Sequence, residues 1–127
     1  MPRAALTDPL TLPSGLVLAN RLGRAAMTEG LAGRRNDPNE RHERLYAANA
    51  RGGAGFVLTG NVMVDRRHLE RAGNVVVDAA TDEAALRRWA ASAAATPTLV
   101  QLSHPGRQTN KIIQSQFRTP NTISAEF

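Results

Sequence analysis

Three short stretches carry the residues best placed to do chemistry. The first ends in Ala26, Met27 and Thr28, and the second reaches Gly60 and Asn61. The third holds Gln101, followed by Ser103, His104, Pro105 and Gly106. Each begins apolar and turns polar. A buried strand that opens into a loop at its carboxyl end reads this way, and in α/β folds ligands bind at that end of the strands.

Gln101 is the most informative of these residues. A primary amide within a buried strand costs free energy unless its donors and acceptor are satisfied. It suits the edge of a heterocycle such as a flavin pyrimidine, and it equally suits an internal hydrogen-bond partner. Thr28 offers a hydroxyl at a strand end or a cap for the next turn. Gly60 allows close backbone approach to a flat ligand or relieves crowding between elements. His104 sits at a strand end, where functional and structural histidines both occur. His42, beside Glu43, has charged neighbours and reads as solvated, and His68 lies in an Arg-rich loop. Neither has a second ligand at helical spacing, so no metal site is expected. No Ser/His/Asp or Cys/His set is apparent, and no catalytic residue is assigned. Gly52-Gly53-Ala54-Gly55 follows a helix and opens a strand. A dinucleotide loop does the reverse, so these glycines read as a helix stop and tight turn.

The elements that must position these residues follow from capping and periodicity. Pro13-Ser14-Gly15 marks a hairpin within 6–18. A small-residue strand covers 20–28. Asp37 as cap, Pro38 at the first helical position and Glu40 three residues on start a helix running to about Arg51. Its buried face is expected at Leu45, Tyr46 and Ala48. A second strand spans 55–64, followed by a polar loop with a short strand at 74–77. Thr81-Asp82-Glu83 starts a second helix, with Leu86, Trp89, Ala90 and Ala93 facing inward. The third strand begins at Thr98, and 108–127 reads as loop.

This strict alternation argues for a parallel sheet with right-handed crossovers. Three parallel strands alone leave two open edges, and a closed β/α barrel typically needs ~250 residues. The pattern is that of an α/β protein, a partial (β/α)8 TIM barrel. It comprises an N-terminal hairpin, the first three parallel strands and two helices.

Composition narrows the function classes. The chain has 127 residues and a formal charge of +5, from fifteen arginines and one lysine against eleven acids. The arginines are scattered rather than clustered, and five aromatics are too few for a base-stacking platform. No nucleic-acid role is expected; salt-dependent binding would mark one. No run of eighteen apolar residues suggests a membrane span, and the first residues lack the apolar core of a secretory signal. The absence of cysteine excludes disulfides and thiolate metal sites, and the whole fits a cytoplasmic protein.

Taken together, three segments resemble the old yellow enzyme family, the FMN-dependent NADH:flavin oxidoreductases with a TIM-barrel fold. They are Leu18-Ala-Asn-Arg-Leu-Gly-Arg-Ala-Ala-Met27-Thr28, Arg51-Gly-Gly-Ala-Gly-Phe-Val-Leu-Thr-Gly-Asn61 and Val100-Gln-Leu-Ser-His-Pro-Gly-Arg107. The resemblance implies that Ala26, Met27 and Thr28 form one side of an FMN ring site. It implies a backbone contact near Gly60 and Asn61, and a contact from Gln101 to the flavin pyrimidine. Many members have proline at the Ala26 position and a small residue at the Asn61 position. It further implies NAD(P)H as reductant and a small activated alkene as hydride acceptor. The family's substrate-binding pair, proton donor and phosphate loops lie beyond the third strand. Residues 1–127 therefore read as the incomplete N-terminal portion of one FMN-dependent TIM-barrel oxidoreductase domain, inactive alone and open to self-association through its sheet edges. The alternative is a non-catalytic barrel fragment or interaction module.

Overall fold

The computed structural model describes residues 4–109. Leu10–Thr11 (β1) and Val17–Leu18 (β2) pair antiparallel as the expected hairpin. Gly23–Arg24 (β3) is the only laddered part of the first strand; 25–28 continues without pairing. Phe56–Met63 (β4) is the centre of the sheet. It pairs in parallel with β3 at its amino end and with Thr98–Ser103 (β6) along most of its length. Val75–Val76 (β5) pairs in parallel with Val62 and Met63. Val62 also faces Leu102 of β6, so β5 takes the other edge of β4, beyond β3. The three main strands thus lie in the expected order and direction, as crossover handedness requires.

One irregularity matters for the site. Leu58 faces Leu99 but Asn61 faces Gln101, so β4 carries one extra residue there. The bulge falls at Thr59 and Gly60. The Thr59 hydroxyl stands in for the interrupted ladder, accepting from the Gln101 backbone N–H (2.9 Å) and donating to the Gly60 carbonyl (2.8 Å). Regular pairing would have set Gly60 against Gln101. The bulge sets Asn61 there instead, the kind of re-aiming that bulges perform beside functional sites.

Glu40–Ala50 (α1) and Glu83–Ser92 (α2) pack on the sheet and on each other. The cap of α1 is Asn39, not Asp37 with Pro38 as first helical residue. Its side chain accepts from the Arg41 backbone N–H (3.0 Å), and its own N–H donates to His42 Nδ1 (3.2 Å). Histidine thus takes the place of the Glu or Gln of a capping box. Asp37 instead accepts from the Asp82 backbone N–H at the entry to α2 (2.9 Å). The Asp82 cap of α2 is as expected.

The buried face of α1 is His42, Tyr46 and Ala50, one stripe at four-residue spacing; Ala48 is exposed. His42 is therefore a core residue, 1% exposed, and not solvated. Its ring and that of Tyr46 meet Trp89 of α2 edge-on, with centroids 5.6 and 5.1 Å away. Val57, Val62, Val75 and Ala93 complete this core. Ala85 joins the buried face of α2, while Ala90 is exposed. Ala90 lines an apolar groove of about 740 Å³ between α2 and β6, with Trp89, Ala93, Val100 and Leu102. The proposed loop at 108–127 lies almost wholly outside the described residues.

Candidate functional site

The β4–β6 ladder sets Asn61 beside Gln101, and hydrogen bonds bring in the end of the first strand at Thr28. Gln101 Nε2 donates to Asn61 Oδ1 (2.6 Å), and Asn61 Nδ2 donates to Glu70 Oε2 (2.7 Å). The Thr28 hydroxyl donates to the same Glu70 oxygen (3.2 Å) and accepts from the Asn61 backbone N–H (3.5 Å). Thr28, Asn61 and Gln101 are thus linked into one polar chain closed by Glu70. Glu70 was not visible as a site residue in the sequence. It sits in an aperiodic loop, and only the fold shows what holds it. Asn74 is buried and fastens that loop, accepting from the Arg71 N–H (2.8 Å) and donating to the Asn61 carbonyl (3.4 Å).

Gly60 serves packing. A Cβ there would meet Met27 O at 2.5 Å and Thr28 Cα at 2.6 Å. Its missing side chain lets the 27–29 segment cross β4 closely. Its N–H is also committed, to Glu29 Oε1 and to the Tyr46 hydroxyl (3.2 Å each). The Tyr46 hydroxyl donates to Glu29, and burial, reinforced by that carboxylate, pushes the phenol well above its ordinary range. Arg24 supports the pair from below, donating to Leu58 O (3.1 Å) with its guanidinium 5.8 Å from the Tyr46 ring centre. This internal polar layer fixes the height at which Thr28 leaves the sheet.

Two features face outward. Gln101 is half-buried, and among the described residues only one hydrogen of its amide is engaged. A donor and an acceptor remain side by side, the pattern that an N–H/C=O heterocycle edge complements. Met27 is exposed next to Thr28 and offers apolar surface, and Ala26 is half-buried beside it. This donor set fits the pyrimidine end of a flavin. The Thr28 hydroxyl donates to Glu70, so toward a ring it can only accept, through the oxygen that also receives the Asn61 N–H.

No family model matches the chain. It is 44% identical over 106 residues to the NADH-dependent flavin oxidoreductase iliE of Hypocrea jecorina, covering 79% of this chain and 26% of that protein. It is also 42% identical over 109 residues to the NADH-dependent flavin oxidoreductase iccE of Talaromyces variabilis, covering 81% and 26%. Over these stretches the chain is similar in sequence to NADH-dependent flavin oxidoreductases. Its fold superposes on morphinone reductase in complex with tetrahydroNAD with a TM-score of 0.79 at 22% identity, covering 93% of this chain and 32% of the reductase. The chain spans about a quarter of the iliE and iccE proteins and about a third of the reductase chain, over their amino-terminal portion. The partial TIM-barrel architecture expected from the alternation of strands and helices is the one these enzymes share.

Proposed function

We propose that this chain supplies the amino-terminal part of the flavin site of an FMN-dependent NAD(P)H oxidoreductase that passes hydride to an activated alkene. Residues 1–127 form an incomplete portion of one barrel domain on this reading. The observation that carries it is the pairing of Gln101 with Asn61 across β4 and β6, beside Thr28, with the Gln101 amide still offering a donor and an acceptor.

Bound FMN would supply the hydride chemistry, and the protein's share is positioning and electrostatics. Gln101 would hold the pyrimidine edge, with its amide orientation set by Asn61. Thr28 would present an oxygen to the ring, and Ala26 and Met27 would flank it. Gly60 acts indirectly, by letting the 27–29 segment reach its place, and Asn61 acts as the partner of Gln101. The partners are FMN, a nicotinamide and a small alkene, rather than nucleic acid or a membrane. Among the described residues no helix is long and apolar enough to cross a bilayer, and the working compartment on this reading is the cytoplasm.

A chimera provides the test. Residues 4–109 would replace the matching segment of the Hypocrea relative. The purified chimera should carry FMN and oxidise NADH in the presence of an α,β-unsaturated ketone. A folded chimera without flavin would instead favour a non-catalytic barrel fragment or interaction module.

A further inference from the structure

A second cluster lies at the same end of the sheet and is not used by the flavin reading. Met63 and Ser103 are the last ladder pair between β4 and β6, and the Val64 N–H donates to the Ser103 carbonyl (3.2 Å). Asp65 lies two residues past the end of β4, and His104 directly follows β6. A turn closed by the His68 N–H on the Asp65 carbonyl (3.0 Å) brings His68 back over them. The imidazoles of His68 and His104 stand 5.1 Å apart, and ligand atoms of Asp65, His68 and His104 all lie within 4.8 Å of one another. The sequence concealed this group because its two histidines are on different strands' loops, not at helical spacing.

We propose that His68 and His104 bind a divalent transition-metal ion of the Zn2+ type, with Asp65 orienting His68 from behind. His68 Nδ1 lies 3.0 Å from Asp65 Oδ2, and an ionised carboxylate only accepts, so that nitrogen carries the proton. The Nε2 lone pair of His68 is thereby available, as in carboxylate–histidine–metal arrangements. Arg67 also grips Asp65 through both carboxylate oxygens, at 2.7–3.2 Å. The charge of Asp65 is thus paired by Arg67, and Asp65 serves as the outer partner rather than a direct ligand. His104 Nδ1 accepts from the Gly106 N–H (3.1 Å) at an exposed site. Shifting its proton to Nδ1 frees Nε2 for the metal and leaves that N–H to water.

Zn–N bonds of 2.0–2.1 Å set tetrahedral nitrogens roughly 3.3–3.4 Å apart. The cluster's ligand atoms, all within 4.8 Å of one another, are already near that spacing, and rotation of the exposed His104 side chain allows them to reach it. Imidazole donors select Zn2+, Ni2+ or Cu2+ over Mg2+, which prefers oxygen. The remaining positions would face solvent at the mouth of the sheet.

The test is calorimetric titration of the untagged full chain with Zn2+, and with Mg2+ as control. One Zn2+ per chain is expected, with affinity falling about tenfold or more in His68→Ala, in His104→Ala and, through the lost orienting partner, in Asp65→Asn. Imidazole proton resonances of the unsubstituted chain give a readout independent of variant folding. Zn2+ should move those of His68 and His104 and leave buried His42 unchanged. Uptake equal to that of the His68→Ala/His104→Ala double variant, or resonances of His68 and His104 that do not move, would overturn the proposal.

Discussion

Glu70 sets the charge of the polar chain at the strand ends. Its carboxylate accepts hydrogen bonds from both Thr28 and Asn61 and places negative charge beside the position proposed for the pyrimidine. That charge opposes the electron-rich reduced ring. In the chimera, Glu70→Gln should raise the flavin midpoint potential and speed reduction by NADH; a lowered potential would count against this placement. His42 gives a second residue-scale expectation. Burial, opposed by Glu29 and aided by Arg41, lowers its pKa below the ordinary 6.5. Its Nδ1 must stay unprotonated to accept the Asn39 N–H, and its Nε2 is buried without a partner among the described residues. The unfolded chain then binds the extra proton first. Stability is full above about pH 6.5 and is lost as pH falls toward the folded value. His42→Gln keeps a capping-box acceptor and should flatten the pH dependence of the denaturation midpoint between neutrality and pH 5. An unchanged slope would place the titration elsewhere. The misreading of His42 has a physical source: its neighbours Arg41 and Glu43 are charged, and only its four-residue spacing to Tyr46 reveals the buried stripe.

At the scale of elements, the parallel order of β3, β4 and β6 was legible from β/α alternation and right-handed crossovers. The bulge at Thr59 and Gly60 was not, because it rests on a side-chain hydroxyl replacing a ladder contact. It decides that Asn61, rather than Gly60, stands opposite Gln101. The helix caps show the same division: Asp82 was readable, whereas Asp37 is drawn away from α1 by a tertiary bond to α2. Gly60→Ala would drive a methyl into Met27 and Thr28. We expect it to cost about 1–3 kcal/mol, the range for overpacking, measured by urea denaturation. A neutral effect would mean that the 27–29 crossing is loose. Trp89 joins both helices to the sheet, and Trp89→Ala should cost roughly 3–5 kcal/mol, enough to remove cooperative unfolding from so small a sheet.

At the scale of the molecule, β6 is an edge strand among the described residues, with Leu99, Val100 and Leu102 45%, 52% and 64% exposed. Together with the groove beside α2, this apolar surface predicts concentration-dependent association of the isolated chain. Sedimentation should show it, and a monomer at all concentrations would contradict it. The isolated chain should also bind FMN weakly, because it presents one edge of the ring site. The similarity to flavin oxidoreductases was legible in the three strand-end segments, since their residue types can be read without any knowledge of packing. Glu70 and the Asp65–His68–His104 cluster were not, since loops without periodicity carry no spacing signal. The measurement that bears most directly on the account is the FMN affinity of the chimera compared with its Gln101→Leu variant. One or two hydrogen bonds at ~0.5–1.5 kcal/mol each predict a loss of about twofold to somewhat over a hundredfold, with the protein still folded. Equal affinity in the two proteins would remove Gln101 from the flavin site and with it the proposed function.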